Sequence, residues 1–245
     1  MAPRRIFSSL YSRLLAAYGP QGWWPLPSMA GSRGFDARGY HPGRYRWPSS
    51  AQGRFEIIVG AVLTQNTAWT NVEMALTRLR EAGMELPQHL RLAPANRIGR
   101  LIRSSGYYNQ KAKKLKVIAE VFLPAVALER RSAPTREQLL AIWGIGRETA
   151  DSILLYAFGR PVFVVDAYTR RIFTRLGIFE GRESYDEIQE EFHHRLPRRP
   201  DVYNEMHALI VEHAKRHCRS KPLCAGCPIS RSCRYFSVSR VTHFP

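Results

Sequence analysis

The sequence predicts an all-α fold, and three observations support this prediction. From Phe55 onward, apolar residues recur at helical spacing through most of the chain. Several of these periodic segments end at Gly or Pro, the residues that most often terminate helices. Alternating strand patterns are scarce, and the one β-branched run, VFVV at 162–165, is too short to found a sheet. These features favour a helical protein.

The predicted elements follow one another along the chain. FSSLYSRLLAAYG at 7–19 has leucines at helical spacing and predicts a first helix, although the acid-free, Arg- and Ser-containing start also suits a transit peptide. Residues 26–53 are rich in Gly, Ser, Pro, Arg and Tyr and predict a long surface loop, basic enough to touch nucleic acid. The remaining predicted helices lie at 55–65, 70–83, 95–106, 111–127, 135–146, 147–159, 166–177, 185–196 and 201–218.

The charge balance points to a polyanionic partner. Thirty-seven Lys and Arg against twenty Asp and Glu give a formal net charge of +17. An anionic membrane surface is the rival partner, but no isolated basic amphipathic helix supports it, and no apolar run approaches the ~20 residues that span a bilayer. We therefore expect a soluble, cytoplasmic, nucleoid-associated protein. In a reducing cytosol, cysteines are metal ligands or thiols before they are disulfides.

QLLAIWGIGRETADSILLYA at 138–157 predicts two helices joined by a tight turn, with the first ending at Trp143. Gly144 and Gly146 lack a Cβ, so the backbone can approach another surface and adopt positive φ, while Ile145 plugs into the core. A second helix begins near Arg147 and presents unpaired N–H groups, including that of Thr149, with the positive end of its dipole. This arrangement suits one phosphate of a DNA backbone. An ordinary αα-turn is the plain alternative.

With VFVVDAYTRRI following this hairpin, the chain resembles the endonuclease III-like, HhH-GPD superfamily of DNA glycosylases from about Phe55 to Cys233. AVLTQNTAWTNVEMAL and GYYNQKAKKL match two further helices of that family. The resemblance implies two helical lobes, a six-helix lobe at 54–160 with the helix-hairpin-helix and a second lobe from 1–53 plus 161–245. It also implies an active site in the cleft between the lobes, and a monomer acting on double-stranded DNA that contains a damaged base.

The resemblance assigns catalysis to Asp166. Breaking an N-glycosidic bond develops positive charge on the sugar, which a carboxylate beside C1′ can stabilise while it orients or deprotonates water. A simple helix N-cap is the alternative, and it is compatible with catalysis.

The position at which bifunctional relatives place a lysine nucleophile is Glu148 in this chain. A carboxylate cannot form a Schiff base, so we expect a monofunctional glycosylase that uses water. Lys111, Lys113 and Lys114 could substitute, but a solvated helix surface facing phosphate is the preferred interpretation, and we assign Lys111 to DNA binding.

GWWPLP at 22–27, together with the motifs above, looks like the 3-methyladenine glycosylase branch of that family. Carried over by position, Trp24 and Pro25 would form one wall of the base pocket and Phe55 the other, and a cationic alkylated purine gains from such aromatic faces. Core packing of Trp23, Trp24 or both is the alternative. Gln65 and Asn66 would fill the gap left by the flipped nucleotide, or be helix-surface amides. A mismatch uracil/thymine glycosylase, an oxidised-base glycosylase and a non-catalytic DNA-binding protein remain open.

Four cysteines lie within sixteen residues, as Cys218-x5-Cys224-x2-Cys227-x5-Cys233. Such density predicts a metal site, and tetrahedral zinc would fit the spacing. The family resemblance instead implies a structural [4Fe–4S] cluster in a loop at 217–234, although the first gap is one residue shorter than usual in the family. In the family, basic residues such as Arg219 and Lys221 in this loop contact DNA phosphates. His207, His213 and His217 precede the loop, and we expect packing or surface roles for them.

Overall fold

The computed structural model describes residues 3–45, 48 and 50–241. Within these residues the secondary structure is helical and no strand is present, so the predicted all-α class is confirmed. The chain forms two compact units. The terminal unit comprises Met1–Trp23 and Pro161–Pro245, and the central unit comprises Trp24–Arg160. None of the described helices combines the length and the apolar character that a membrane crossing requires.

The central unit is built around a helix that is apolar on nearly every side. Seven α-helices belong to it: α2 (Ala51–Leu63), α3 (Trp69–Glu81), α4 (Pro87–Leu92), α5 (Ala95–Leu101), α6 (Tyr108–Val121), α7 (Arg136–Leu140) and α8 (Arg147–Ser152). A π-helical segment, Ile153–Ala157, continues α8. Helix α2 packs against this segment, α3 and α6, and its side chains are buried from Phe55 to Leu63 apart from the half-buried Glu56. Burial on all sides explains why its sequence shows little polar periodicity.

The terminal unit packs around a cluster of phenylalanines. It contains α1 (Pro3–Tyr18), α9 (Ala167–Leu176), α10 (Tyr185–Arg195), α11 (Pro200–Arg216) and α12 (Arg234–Val241). Phe163 and Phe192 stack with ring centroids 3.7 Å apart, and Phe7 and Phe173 pack on Phe192 at 5.0 and 4.8 Å. Helix α1 lies against α10 and α11, so the apolar face predicted for 7–19 is the face that is buried.

Several helix ends follow from local sequence chemistry. The Thr135 and Ser184 side chains begin α7 and α10 in capping boxes that Gln138 and Glu187 complete. Helix α9 begins after Asp166 and ends at Gly177, which has a φ of 78°. Other bounds differ from the sequence prediction: α7 ends at Leu140, not Trp143, and the short helices α4 and α12 were not predicted.

The segment from Trp24 to residue 45 clusters with the central unit, whereas the sequence placed it with the termini. Hydrogen bonds account for this placement. The Glu56 carboxylate on α2 accepts from the Ser28 backbone at 3.0 Å, and Arg80 on α3 donates to the Pro27 carbonyl at 3.0 Å. Residues 46, 47 and 49 of the predicted surface loop lie outside the described residues.

Candidate active site and cysteine cluster

The hairpin between α7 and α8 has the backbone that its glycines predict. Gly144 adopts a φ of 84°, which confirms the predicted positive φ at one of the two glycines, and Gly146 is extended at −95° and caps α8. Ile145 between them is 6% exposed and anchors the turn in the core. Gly146, Arg147 and Glu148 are exposed. The turn therefore presents backbone to solvent while its centre is held inside.

Two polar contacts fix the hairpin within the central unit. Arg136 on α7 donates from Nε and Nη2 to the two carboxylate oxygens of the fully buried Asp151 on α8, at 2.7 and 3.1 Å. The Gln65 amide nitrogen donates to the Gly144 carbonyl and to Thr149 Oγ1, both at 3.0 Å. Lys114 Nζ donates to the Gln65 amide oxygen at 2.6 Å and so orients that amide. The two helices of the hairpin are thus tied to each other and to α2 and α6.

These contacts turn inward the side chains of two residues that were predicted to bind DNA. Gln65 is half-buried and directed at the hairpin, and Thr149 is 6% exposed with its hydroxyl engaged by Gln65. Gln65 therefore supports the turn in this structure, and Thr149 offers no exposed hydroxyl.

Lys111 does not lie on the solvated surface that the sequence predicted. It is 2% exposed, and its ammonium donates to the Leu63 carbonyl, the Ser105 carbonyl and Thr67 Oγ1 at 2.7–2.8 Å. Burial, and then the nearby charge of Lys114, lowers the pKa of Lys111 to about 8. The solvated surface position predicted for Lys111 is therefore wrong, because the acceptors at the end of α2 and before α6 hold its ammonium in the interior.

The loops that Lys111 joins carry two exposed residues in the left-handed backbone region. Asn66 follows α2 with a φ of 52°, and Tyr107 precedes α6 with a φ of 44°. Asn tolerates this region, but for Tyr it is costly, and such conformations concentrate at functional sites. Tyr107 is 74% exposed. Sequence reasoning missed Tyr107; the signal was an aromatic residue directly after Gly106 in a polar stretch.

Asp166 occupies the N-cap of α9 in the terminal unit. Its Oδ1 atom accepts from the Thr169 backbone N–H at 2.7 Å and from the Thr169 hydroxyl at 2.8 Å. Its Oδ2 atom lies 3.6 Å from His207 Nε2 on α11, and the side chain is 13% exposed. Burial raises the pKa of Asp166, but His207 and Thr169 outweigh burial and hold the pKa below its usual range. The carboxylate is therefore ionised, fixed in direction and in limited contact with solvent.

His207 on α11 lies beside this carboxylate, and Trp23 packs on His207. His207 is 5% exposed, and the Trp23 ring meets it edge-on at 5.5 Å. Asn204 holds the Trp23 carbonyl at 2.8 Å, and Trp23 itself is half-buried. The sequence predicted a packing or surface role for His207; its place beside Asp166 was missed because the two positions are forty-one residues apart.

The three residues predicted for the base pocket are buried in this structure. Trp24 is 7% exposed and packs on Trp69 and Tyr156 at 5.3 and 5.0 Å. Pro25 is buried, and Phe55 is 1% exposed and lines a small pocket together with Leu76 of α3. All three belong to the interior of the central unit, so Trp24 packs as the core-packing alternative expected, whereas Trp23 is half-buried in the terminal unit.

Glu148 lies exposed in the first turn of α8. An acid at this place interacts favourably with the helix dipole, which is sufficient reason for its presence there.

The four cysteines line a single pocket of the terminal unit, about 370 Å³ in volume. All four are free thiols and partly exposed. Arg175 on α9 donates to Cys218 Sγ at 3.3 Å, and burial followed by the neighbouring cysteines raises the pKa values of Cys224 and Cys227. Thiolates placed together in this way repel one another until a cation binds them.

Four cysteine thiolates are a donor set that both a zinc ion and a four-iron cluster take. Among the described residues, no three His, Cys, Asp or Glu side chains converge on one point as ligands of a single metal ion would. Of the nearby histidines, His213 contacts Tyr18 Oη at 2.8 Å, and burial lowers its pKa to about 4. His213 is buried, which agrees with the packing role expected for it, and its Nε2 atom lies 3.9 Å from Cys227 Sγ.

Comparisons with known proteins agree with this geometry. A family model described as the HhH-GPD superfamily of base excision DNA repair proteins matches residues 59–198, a range that contains the hairpin and Asp166. The chain is 41% identical over 231 residues to MJ1434 of Methanocaldococcus jannaschii, named as a DNA repair glycosylase, covering 91% of this chain and 94% of the relative. It is 34% identical over 185 residues to endonuclease III of Sulfolobus acidocaldarius, covering 74% and 82%. A solved structure of H. pylori 3-methyladenine DNA glycosylase (MagIII) bound to 1,N6-ethenoadenine matches with a TM-score of 0.64 at 28% identity, covering 88% and 98%.

Proposed function

This chain belongs to the HhH-GPD superfamily of base excision DNA repair proteins and is a DNA glycosylase, and we propose that it excises alkylated purines of the 3-methyladenine type by hydrolysis. The observation that carries the proposal is the ionised Asp166 carboxylate, fixed at one oxygen by Thr169. It acts as a monomer on double-stranded DNA from which the damaged base has been flipped.

The chemistry needs one carboxylate and one water. As the C1′–N bond lengthens, the bonding electrons move to the base, and an alkylated cationic purine leaves as a neutral molecule. The Asp166 charge stabilises the oxocarbenium ion that remains. Water then bonds to C1′, and its proton passes to the Asp166 carboxylate and on to solvent. Because the pKa of Asp166 is held low, the carboxylate is charged at neutral pH.

The nucleophile is water because Glu148 stands where an amine would be needed. A carboxylate forms no Schiff base with the sugar, so the strand stays intact after base release. Lys111 was one of the lysines considered as a replacement for the missing nucleophile. It is buried, and its ammonium donates to three acceptors.

Recognition of the base falls to Trp23 rather than Trp24. Trp23 is half-buried and belongs to the same unit as Asp166, and its ring meets His207 edge-on. An electron-rich indole face attracts a cationic purine more than a neutral base. The likeness to a 3-methyladenine glycosylase supports this lesion class.

The hairpin holds the DNA backbone. Gly146 and Arg147 are exposed at the start of α8, and Arg136 and Gln65 keep the turn rigid behind them. Backbone N–H groups there bind a phosphate without reading sequence. Asn66, exposed at its own turn, contacts the strand near the vacated position.

Cys218, Cys224, Cys227 and Cys233 hold a [4Fe–4S] cluster, whose contribution is to shape the loop. Arg219 and Lys221 on that loop are exposed and meet DNA phosphates.

The proposal is tested by mass spectrometry of the bases released from alkylated, deaminated and oxidised duplexes. We expect free 3-methyladenine, and a loss of about 10²–10⁴-fold in its release rate for Asp166→Asn. Asp201→Asn, which changes a carboxylate in the first turn of α11, is the matched control and keeps the rate. Borohydride added during the reaction traps no protein–DNA adduct, because no amine attacks the sugar.

Three results would contradict the proposal. Release of uracil, thymine or an oxidised base in place of methylated purine would show that the enzyme acts on a different class of lesion. A borohydride adduct shows an amine nucleophile. Full activity in Asp166→Asn would show that the Asp166 carboxylate is not needed for base release.

A further inference from the structure

His207 is a buried titratable residue to which the mechanism above gives no task. It lies on α11, is 5% exposed, and its Nε2 atom is 3.6 Å from Asp166 Oδ2. We infer that His207 is a positioning residue for Asp166, holding the Oδ2 atom in the direction that hydrolysis requires. The inference rests on the proposed function and extends it.

The two oxygens of Asp166 are held from different elements. Both Thr169 bonds go to Oδ1, and Thr169 belongs to the same helix as the carboxylate. A cap of this kind fixes the Oδ1 atom. The rotation of the carboxylate about the Cβ–Cγ bond then depends on the group that contacts Oδ2. His207 is the group that meets Oδ2, and it comes from α11, which packs along α9.

The imidazole is itself held in place by aromatic neighbours. The Trp23 ring stands at 82° to it with centroids 5.5 Å apart, and Phe163 stands at 86° with centroids 6.3 Å apart. Trp23 is anchored through its carbonyl to Asn204, one turn before His207 on α11. A ring confined in this way stays at a fixed place beside Oδ2, at an ion-pair distance of 3.6 Å that is longer than a hydrogen bond.

The same contact keeps the carboxylate ionised. Burial acts to raise the pKa of Asp166, and His207 and Thr169 are the groups that lower it. Without His207, only the Thr169 hydrogen bonds lower the pKa of Asp166, while burial still raises it. The pKa of Asp166 therefore rises when His207 is removed. A purely structural role for His207 would not move this pKa.

The test compares His207→Leu, which removes the donor, with His207→Gln, which keeps an N–H near the Nε2 position. Base release from alkylated duplex is measured in single turnover across pH, and binding to the same duplex is measured separately. We expect His207→Leu to slow release by about 10–100-fold with binding retained, and to move the acidic limb of the rate profile to higher pH. His207→Gln retains most of the rate. His194→Leu, which changes an exposed histidine on α10, is the control and behaves as wild type.

His207→Phe fills the same aromatic site without a donor and replaces the Leu variant if that variant does not fold. The inference is overturned if the variant without a donor releases base at the wild-type rate and with the wild-type acidic limb. It is also overturned if His207→Leu and His207→Gln lose the same fraction of the release rate. Asp166→Asn is run in parallel. If Asp166→Asn stays active, the proposed function itself fails, whereas an inactive Asp166→Asn beside an unaltered His207→Leu rejects only the role of His207.

Discussion

Three buried ionisable side chains each meet partners that compensate their burial. Asp151 is 0% exposed, and its two carboxylate oxygens accept hydrogen bonds from Nε and Nη2 of Arg136. Asp166 is met by Thr169 and His207. Lys111 donates to three oxygens from the chain around 63–67 and 105. Buried charge costs free energy unless it is compensated in this way, so each of these residues fixes the backbone that surrounds it.

Replacing Lys111 with Met tests this role at the residue scale. The Leu63 and Ser105 carbonyls lose a buried donor, and we expect the free energy of unfolding to fall by about 1–3 kcal/mol. Lys113→Met, on the same helix but exposed, is the matched control and leaves stability unchanged. Urea unfolding followed by circular dichroism measures both. If the two variants unfold at the same urea concentration, the ammonium does not join these loops.

At the scale of elements, the hairpin shows how one short motif combines rigidity with exposure. Its first glycine, Gly144, supplies a positive φ, and a Cβ there would lie 2.7 Å from the Lys114 side chain. Its second, Gly146, has an ordinary negative φ, and a Cβ there would meet nothing within 4 Å. The fold therefore requires glycine at 144 and does not require it at 146. Under the proposed function, a close approach of the DNA backbone is the reason for glycine at 146.

Alanine at each glycine separates these two requirements. Gly144→Ala is expected to lower stability by about 1–3 kcal/mol, because a Cβ is strained at this φ. Gly146→Ala keeps wild-type stability but binds undamaged duplex more weakly, because the methyl group stands between the backbone amides and the phosphate. Fluorescence anisotropy gives the affinity and thermal unfolding the stability. Unaltered DNA affinity in Gly146→Ala would remove the hairpin from the DNA interface.

At the scale of the whole molecule, α9 connects the proposed catalytic residue to the cysteine loop within the terminal unit. Asp166 caps its start, and its later residues hold the loop: Arg171 donates to the Cys218 carbonyl, and Arg175 donates to the Arg219 and Ser220 carbonyls. Arg175 also meets the Cys218 sulfur. One helix thus has the carboxylate proposed for catalysis at its start and supports the cysteine loop near its end.

Metal analysis tests the cluster. We expect four irons and four acid-labile sulfides per chain, with absorbance in the blue and little zinc. Removing the iron frees thiolates that repel one another, so a protease should then cut within 218–233, where the intact protein resists. Zinc in equal amount to protein, without sulfide, would assign the loop to a zinc site.

The sequence by itself determined the elements and much of the chemistry. Helical periodicity, capping residues and glycines are local signals, so the helices at 69–81, 167–176 and 185–195 lie where they were predicted. The four cysteines lie within sixteen residues and required no knowledge of the fold to be grouped. The Gly-Ile-Gly turn likewise predicted its own conformation.

Tertiary structure decided which side chains face one another. Lys111 and Lys113 look alike in sequence, yet only Lys111 meets acceptors from distant loops and is buried. Trp23 and Trp24 are adjacent, but one lies against His207 and the other lies in the central core. The pairing of Asp166 with His207 joins two helices far apart in the chain. Such outcomes depend on which helix covers which face, and a local pattern holds no information about that partner.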